Sequence, residues 1–286
     1  MSDPAPDRPA PDEATILELI THGELEVVGR LVDASNATLL SSLALDGMTG
    51  RCVYKPVAGE RPLWDFPSRT LARREVAAYA LSAATGWNVV PPTVLRDGPF
   101  GPGSVQWWVD SGVTDPEGEP LAAEPGAGLV DVVPRRSVPE GWLHVLDAEN
   151  YDGSSVALVH ADDEALRRMA VFDAVANNAD RKGGHVLRDA AGAVFGVDHG
   201  LTFNLDDKLR TVLWGWAGDR LTTEAVEVLD RLEAELGPDG PLHGVLADLL
   251  SPQEADRTHT RVVRLLAKRR HPRPGPGRPQ IPWPAF

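Results

Sequence analysis

The sequence predicts an α+β fold of two lobes, with an antiparallel β small lobe that carries one helix and a mainly helical large lobe. Short β-like runs separated by turn-forming clusters fill the first third of the chain. One amphipathic helix interrupts those runs, and helical periodicity dominates the second half, broken by a single hairpin. The length of 286 residues suits one two-lobed domain or two small ones.

The small lobe is predicted over residues 13–110, after a Pro- and Asp-rich leader at 1–12 that we expect to be disordered. The expected elements are a helix at 14–20, strands at 24–31, 37–45 and 51–55, a helix from Ser68 to before Gly86, and strands at 89–95 and 105–109. This alternation favours an antiparallel sheet with one inserted helix.

The large lobe is predicted over residues 111–271, and its Gly-, Pro- and Glu-rich start at 110–140 resembles a linker or long insert. The expected elements are a helix capped by Asp162 and Asp163, a hairpin at 186–197, helices at 222–236 and 241–250, and a last helix from Ser251 to about Arg270. The tail at 272–286 is Pro-rich and predicted to be extended.

Composition excludes several classes of function. The net charge of −14, from 42 acidic and 28 basic residues, argues against nonspecific nucleic-acid binding and against a broad basic membrane patch. Cys52 is the single cysteine, so a disulfide framework and a thiolate zinc site are excluded. There is no apolar run of about 18 residues that could span a membrane. The expected location is a reducing cytoplasm.

The most informative stretch is residues 171–203, which carries the pattern D-R-x-x-x-H followed by a hairpin and D-H-G. A phosphotransferase catalytic loop needs a carboxylate for the acceptor hydroxyl, a metal ligand five residues later, and a second metal-binding Asp after the next hairpin. Asp180, His185 and Asp198 have that layout. The sequence therefore predicts an ATP- and metal-dependent kinase fold with one metal ligand altered.

Six short motifs follow one another in an order that resembles the phosphatidylinositol 3-/4-kinase superfamily, in the style of type II phosphatidylinositol 4-kinases. They are CVYKP (52–56), RRE (73–75), VPPT (90–93), GSVQWWV (103–109), NNADR (177–181) and GVDHGLTF (196–203). The chain also resembles an actinobacterial family of kinase-like proteins. The resemblance covers residues 25–205 and implies a two-lobed kinase-like fold that binds ATP with Mg²⁺ or Mn²⁺.

The resemblance implies catalytic roles for two residues and metal binding for two more. Asp180 matches the catalytic-loop aspartate, and Arg181 is expected to pair with a nearby carboxylate or with the phosphate. Asp198 would ligate the metal that bridges the nucleotide phosphates. His185 stands where the family has Asn; as a ligand it would favour Mn²⁺ and lose metal below about pH 6.5. The alternative is a loop histidine that only bonds backbone.

Lys55 and Glu75 are the predicted cation and acidic partner of the nucleotide site. A kinase holds the phosphates with a strand lysine, and Glu75 lies on the following helix, where it could orient that lysine. Taken alone, the two residues could equally be a solvated strand end and a surface helix position.

Two further segments are candidate nucleotide contacts. Backbone N–H groups at Ser35 and Asn36 could cradle phosphates, or form an ordinary hairpin turn. Gln106, Trp107 and Trp108 could form a hinge that stacks on adenine, or a core strand with one outward aromatic.

Three functions remain open from the sequence: a phosphotransferase, a nucleotide-binding pseudokinase, and a metal-dependent hydrolase using Asp180, His185, Asp198 and His199. The phosphoryl acceptor, whether lipid, small molecule or protein, has no readable signature. Basic residues cluster late in the chain, at Arg264, Lys268, Arg269, Arg270, Arg273 and Arg278. They could contact anionic lipid weakly, or form a solvated helix end favoured by the helix dipole.

Overall fold

The computed structural model describes residues 11–31, 36–114, 120–124, 126, 128–275 and 279–286. The helices are α1 (Glu13–His22), α2 (Leu71–Thr85), α3 (Glu164–Ala176), α4 (Thr223–Glu235), α5 (Pro241–Leu249) and α6 (Pro252–Lys268). The strands are β1 (Glu24–Arg30), β2 (Leu39–Leu45), β3 (Met48–Pro56), β4 (Thr93–Gly98), β5 (Gly101–Trp107), β6 (Asp110–Thr114), β7 (Pro120–Ala122), β8 (Val130–Pro134), β9 (Trp142–Glu149), β10 (Ser155–Ala161), β11 (Val186–Arg188) and β12 (Val194–Gly196).

The small lobe is a five-stranded antiparallel sheet in the order β1-β2-β3-β5-β4, with α2 inserted in the chain between β3 and β4. Side chains alternate across a strand, so each face has its own set. Tyr54 and Val105 pack with Leu19 and Ile20 of α1 in one apolar cluster. Lys55, next to Tyr54 on β3, therefore faces the opposite side of the sheet.

The large lobe is built around α3 and the helices α4, α5 and α6. Their apolar side chains share one buried core with α2, to which Ala77 and Leu81 of α2 contribute. The predicted α+β class with two lobes is thus confirmed: an antiparallel sheet with one helix is followed by a mainly helical lobe. Because α2 packs into the large-lobe core, its residues reach the junction between the lobes.

A three-stranded sheet, in the order β8-β10-β9, was not predicted from the sequence. Residues 110–140, interpreted as a linker or insert, contain β6, β7 and β8. Most side chains of β8 and β9 are exposed or half-buried, so these strands lack the apolar alternation that identifies a strand. Among the described helices, none has the length and apolar character needed to cross a bilayer.

Candidate functional site

Asp180, His185 and Asp198 converge at the lobe junction. A ligand atom from each lies within 4.8 Å of the others. Asp180 lies in the loop after α3, His185 ends a 3₁₀ turn that begins at Gly183, and Asp198 follows β12. The hairpin of β11 and β12 is what returns the chain, so that residues far apart in sequence share one site.

The end of α3 positions Asp180. Asn177 has a φ of 54°, the left-handed conformation that terminates a helix. Asn178 accepts a hydrogen bond from the Asp180 N–H at 2.9 Å and donates from Nδ2 to Asp173 Oδ1 at 3.0 Å. Both amide side chains are buried. Asn177 and Asn178 therefore direct the chain from the end of α3 into the loop that carries Asp180.

Arg181 pairs with a nearby carboxylate, one of its two predicted partners, and is buried as a positioning residue rather than exposed as a catalytic one. Its side chain is fully buried and pairs with Asp173 through two bonds of 2.9 Å. It also donates to the carbonyl of Val197 at 3.1 Å. Such a buried guanidinium cannot reach a substrate. It joins α3 and the loop of Asp180 to the segment that carries Asp198.

Lys55 connects the small lobe to the cluster. Its ammonium donates to Glu75 Oε1 at 2.5 Å and to Asp198 Oδ1 at 2.8 Å. Burial disfavours the charged lysine, but the carboxylates of Asp198 and Glu75 outweigh it and raise the pKa of Lys55. Burial likewise raises the pKa of Glu75, against the opposing effect of Lys55. Glu75 also accepts the His199 N–H at 2.8 Å.

Asp198 has an unusual backbone and a stabilised charge. Its φ of 60° lies in the left-handed region, which among non-glycine residues Asp and Asn adopt most readily. Its side chain is half exposed, at 52%. The Lys55 ammonium holds the pKa of the Asp198 carboxyl well below its usual range. Asp198 is therefore an anion at any physiological pH.

Burial shifts Asp180 and His185 toward their neutral forms. It raises the pKa of Asp180 to about 6, opposed by Lys182, whose Nζ lies 3.6 Å from Asp180 Oδ2. It lowers the pKa of His185 to about 4. The His185 imidazole is thus neutral at pH 7, and its expected protonation near pH 6.5 is wrong for this environment.

The donor set fits a divalent cation. Two carboxylates and one neutral imidazole converge, with His185 Nε2 at 3.4 Å from Asp198 Oδ2. His185 Nδ1 is buried and has no hydrogen-bond partner within the described part of the chain. Oxygen ligands suit Mg²⁺, and the imidazole also suits Mn²⁺.

His199 does not join this cluster. It is fully buried, and its Nε2 accepts from the Arg181 guanidinium at 2.6 Å. Burial holds the pKa of His199 well below its usual value, so the ring is neutral. A hydrolase site with His199 as a fourth ligand is therefore not assembled.

The predicted adenine-contacting residues are only partly compatible with the structure. Trp107 packs in the α1 cluster, on the sheet face opposite Lys55, so its assignment as a nucleotide contact is wrong. Gln106 is buried and donates to Thr93 Oγ1 at 2.9 Å. Trp108 stays a candidate: it is partly buried, and the Arg51 guanidinium lies 5.7 Å from its ring centroid.

The predicted phosphate turn lies at the edge of what the structure describes. Ser35 falls outside the described residues. Asn36 accepts the Arg61 N–H at 2.9 Å through Oδ1, which holds Asn36 against the segment after β3.

Three residues of this site were missed from the sequence: Asp173, Asn178 and Lys182. Asp173 carried a usable signal, because a carboxylate inside the apolar stripe of α3 requires a buried partner. Lys182 carried no sequence signal other than its position two residues after Asp180.

Comparison with known proteins places the chain in a family. It is 49% identical over 268 residues to Protein Rv2133c of Mycobacterium tuberculosis, with 94% of each chain covered. The chain belongs to the family of Rv2133c. No family model matches it. Among solved structures, a Helicobacter pylori proinflammatory kinase, CtkA, aligns over 87% of this chain and 93% of its own, with 11% identity and a TM-score of 0.39. That likeness is too low to bear on function, which must be argued from the site.

Proposed function

We propose that this member of the Rv2133c family is an ATP- and divalent-metal-dependent phosphotransferase that acts on an acceptor hydroxyl. One observation carries the proposal: the Lys55 ammonium bonds both Glu75 of α2 and Asp198, beside Asp180 and His185. A strand lysine oriented by a helix glutamate, next to a metal-binding aspartate and a catalytic-loop aspartate, is the set of groups that phosphoryl transfer requires.

Each residue has a distinct part in this chemistry. Lys55, oriented by Glu75, would bind nucleotide phosphates. Asp198 and His185 would hold the metal, which supplies charge neutralisation at the transferred phosphoryl group when bound. Lys55 Nζ lies 2.8 Å from Asp198 Oδ1, so the group that would bind phosphate and the group that would bind the metal are adjacent.

Asp180 would accept the proton of the acceptor hydroxyl. Its pKa of about 6 leaves it ionised at pH 7, while keeping it a better proton acceptor than an exposed aspartate. The site is compatible with an acceptor alcohol of any class, whether lipid head group, small molecule or protein.

A nucleotide-binding pseudokinase is the second candidate, and one residue favours it. His185 offers a single neutral nitrogen where an Asn would offer an oxygen, and Mg²⁺ binds nitrogen poorly. Such a protein would bind nucleotide and transfer little phosphate.

Asp180→Asn separates the candidates. In an assay of ATP turnover by the full chain, the variant should lose at least about a hundredfold in rate, the usual size of general-base catalysis, and keep ATP affinity. Asp230→Asn, an exposed α4 position, is the matched control and should behave as wild type. Wild-type turnover in Asp180→Asn would exclude Asp180 as the base. Nucleotide binding without turnover in the wild type would favour the pseudokinase.

A further inference from the structure

A basic cavity lies outside the Asp180, His185 and Asp198 cluster. It has a volume of about 810 Å³ and is bounded by α6, by residues 206–210 and by residues 270–280 as far as these are described. Four lysine and arginine side chains of α6 line it, and four more come from the two flanking segments. In a chain with net charge −14, this concentration of positive charge is unusual.

The α6 cations form one stripe. Arg257, Arg261, Arg264 and Lys268 all line the cavity, at spacings of three or four residues that keep side chains on one helix face. With a rise of about 1.5 Å per residue, the stripe extends over roughly 16 Å. A ligand that matches it must carry negative charge at more than one point.

Acidic residues neutralise only part of this charge. The Asp207 carboxylate lies 3.5 Å from Arg261 Nε and 3.1 Å from Arg264 Nη1, and Arg257 is 3.6 Å from it. Lys268 and Arg273 make no ion pair with any acidic side chain of the described chain. Asp206 is the second acidic group at the wall.

Arg261 makes this a built site rather than a charged surface. The residue is only 5% exposed, and its Nη2 donates to the Asn204 carbonyl. Its Nη1 is buried and has no hydrogen-bond partner in the part of the chain that the structure describes, whereas its Nε lies 3.5 Å from the Asp207 carboxylate. Buried donors of this kind are normally satisfied, so an acceptor from a ligand is the missing partner.

We propose that this cavity binds a soluble small molecule that carries at least two phosphate groups. Its volume is that of a small-molecule site. Phosphate oxygens satisfy guanidinium donors with short, charge-assisted bonds. The proposal is independent of the phosphotransferase proposal, because it uses neither Lys55 nor Asp198.

Arg210 lines the cavity wall and its backbone is hydrogen-bonded to the loop that carries Asp180. The Arg210 N–H donates to the Asn178 carbonyl at 2.9 Å, and its carbonyl accepts the Arg181 N–H at 3.1 Å. A ligand bound to the Arg210 side chain would therefore lie against the segment that is paired with the catalytic loop.

Titration calorimetry on the full chain tests the proposal, with inositol hexakisphosphate as the probe and inorganic phosphate as the single-charge comparison. We expect one probe molecule per chain and much weaker binding of inorganic phosphate. The double variant Arg264→Ala/Lys268→Ala, at two exposed positions, should weaken probe binding roughly tenfold or more. Arg135→Ala/Arg136→Ala removes two exposed cations outside the cavity and should leave binding unchanged.

Two further arms identify the site and the source of the ligand. Lys55→Ala should keep full probe affinity, and loss there would mean that the probe occupies the nucleotide site. Phosphatidylserine vesicles should not sediment the protein. Sedimentation with vesicles combined with no binding of the soluble probe would overturn the proposal in favour of a lipid surface. The proposal would also be overturned if the probe did not bind, or if the two double variants lost equal affinity for the probe.

Discussion

Asp180 and His185 show how one buried environment gives two side chains different charges. Burial raises the pKa of Asp180 to about 6 and lowers that of His185 to about 4. At pH 7 the carboxyl is still ionised and the imidazole is neutral. In the proposed function, Asp180 would be the proton acceptor and His185 a metal ligand.

The pH dependence of turnover should report Asp180. Because the active form is the carboxylate, kcat/KM should fall as the pH falls through about 6. An ordinary aspartate would cause this fall only at a pH about two units lower. Lys182 lowers this pKa, so Lys182→Ala should move the fall to higher pH, while Lys182→Arg should leave it in place. If kcat/KM fell at the same pH in Lys182→Ala as in the wild type, Asp180 would not be the group that titrates.

His185 should set the metal preference. If its nitrogen binds the cation, Mn²⁺ should support ATP binding better than Mg²⁺, and His185→Asn should shift the preference toward Mg²⁺. Since burial lowers the pKa of His185 to about 4, metal binding should persist through pH 5. Calorimetry with each metal, at pH 7 and at pH 5, measures the metal preference and its pH dependence. If the ratio of ATP affinities with Mn²⁺ and with Mg²⁺ were the same in wild type and His185→Asn, His185 would not be a metal ligand.

The sequence pattern predicted much of this site at the residue scale. Asp180, His185 and Asp198 were expected together from spacing alone, and the structure brings them within 4.8 Å. Trp107 was not predictable, because strand alternation says which side chains share a face but not which face meets α1. The burial of Arg181 against Asp173 is likewise a tertiary contact without a local signal.

At the scale of elements, α2 is held in place by a buried ion pair with α6. The Arg74 guanidinium is fully buried and contacts Glu254 Oε1 at 2.5 Å, and it donates to the Thr202 carbonyl at 2.7 Å. Glu254 also completes the capping box of α6 with Ser251. This pair fixes the helix that carries Glu75, and so the orientation of Lys55.

Glu254→Ala should lower the free energy of unfolding by about 3 kcal/mol, because it leaves Arg74 charged, buried and unpaired. Chemical denaturation measures this. Asp147→Ala, which removes an exposed partner of Arg135, is the control and should cost less than about 1 kcal/mol. Equal losses in the two variants would mean that the buried pair does not hold α2.

Elements with strong periodicity or caps were predicted within a few residues, and weakly patterned ones were not. The last helix was expected from its capping box and runs from Pro252 to Lys268. The sheet of β8, β9 and β10 was missed, because its outer strands expose most of their side chains and so carry no apolar repeat.

At the scale of the whole molecule, the site depends on contacts between distant parts of the chain. Lys55 and Asp198 come from different lobes, and a second buried pair, Lys208 with Asp65 at 2.9 Å, joins the lobes again. The tail, predicted to be extended, also contacts the loop between Asp180 and His185, where the Ala285 carbonyl accepts the Gly183 N–H at 2.7 Å. Such long-range docking cannot be derived from local sequence patterns.

Calorimetry with ATP and Mg²⁺ or Mn²⁺ tests the central claim most directly. The wild-type chain should bind ATP only with metal, and Lys55→Ala and Asp198→Ala should each weaken binding at least about tenfold, since each removes a charged contact to phosphate or metal. Asp230→Asn should bind as wild type does. Absence of metal-dependent ATP binding by the wild type, or unchanged affinity in both site variants, would contradict the kinase-like account of this site.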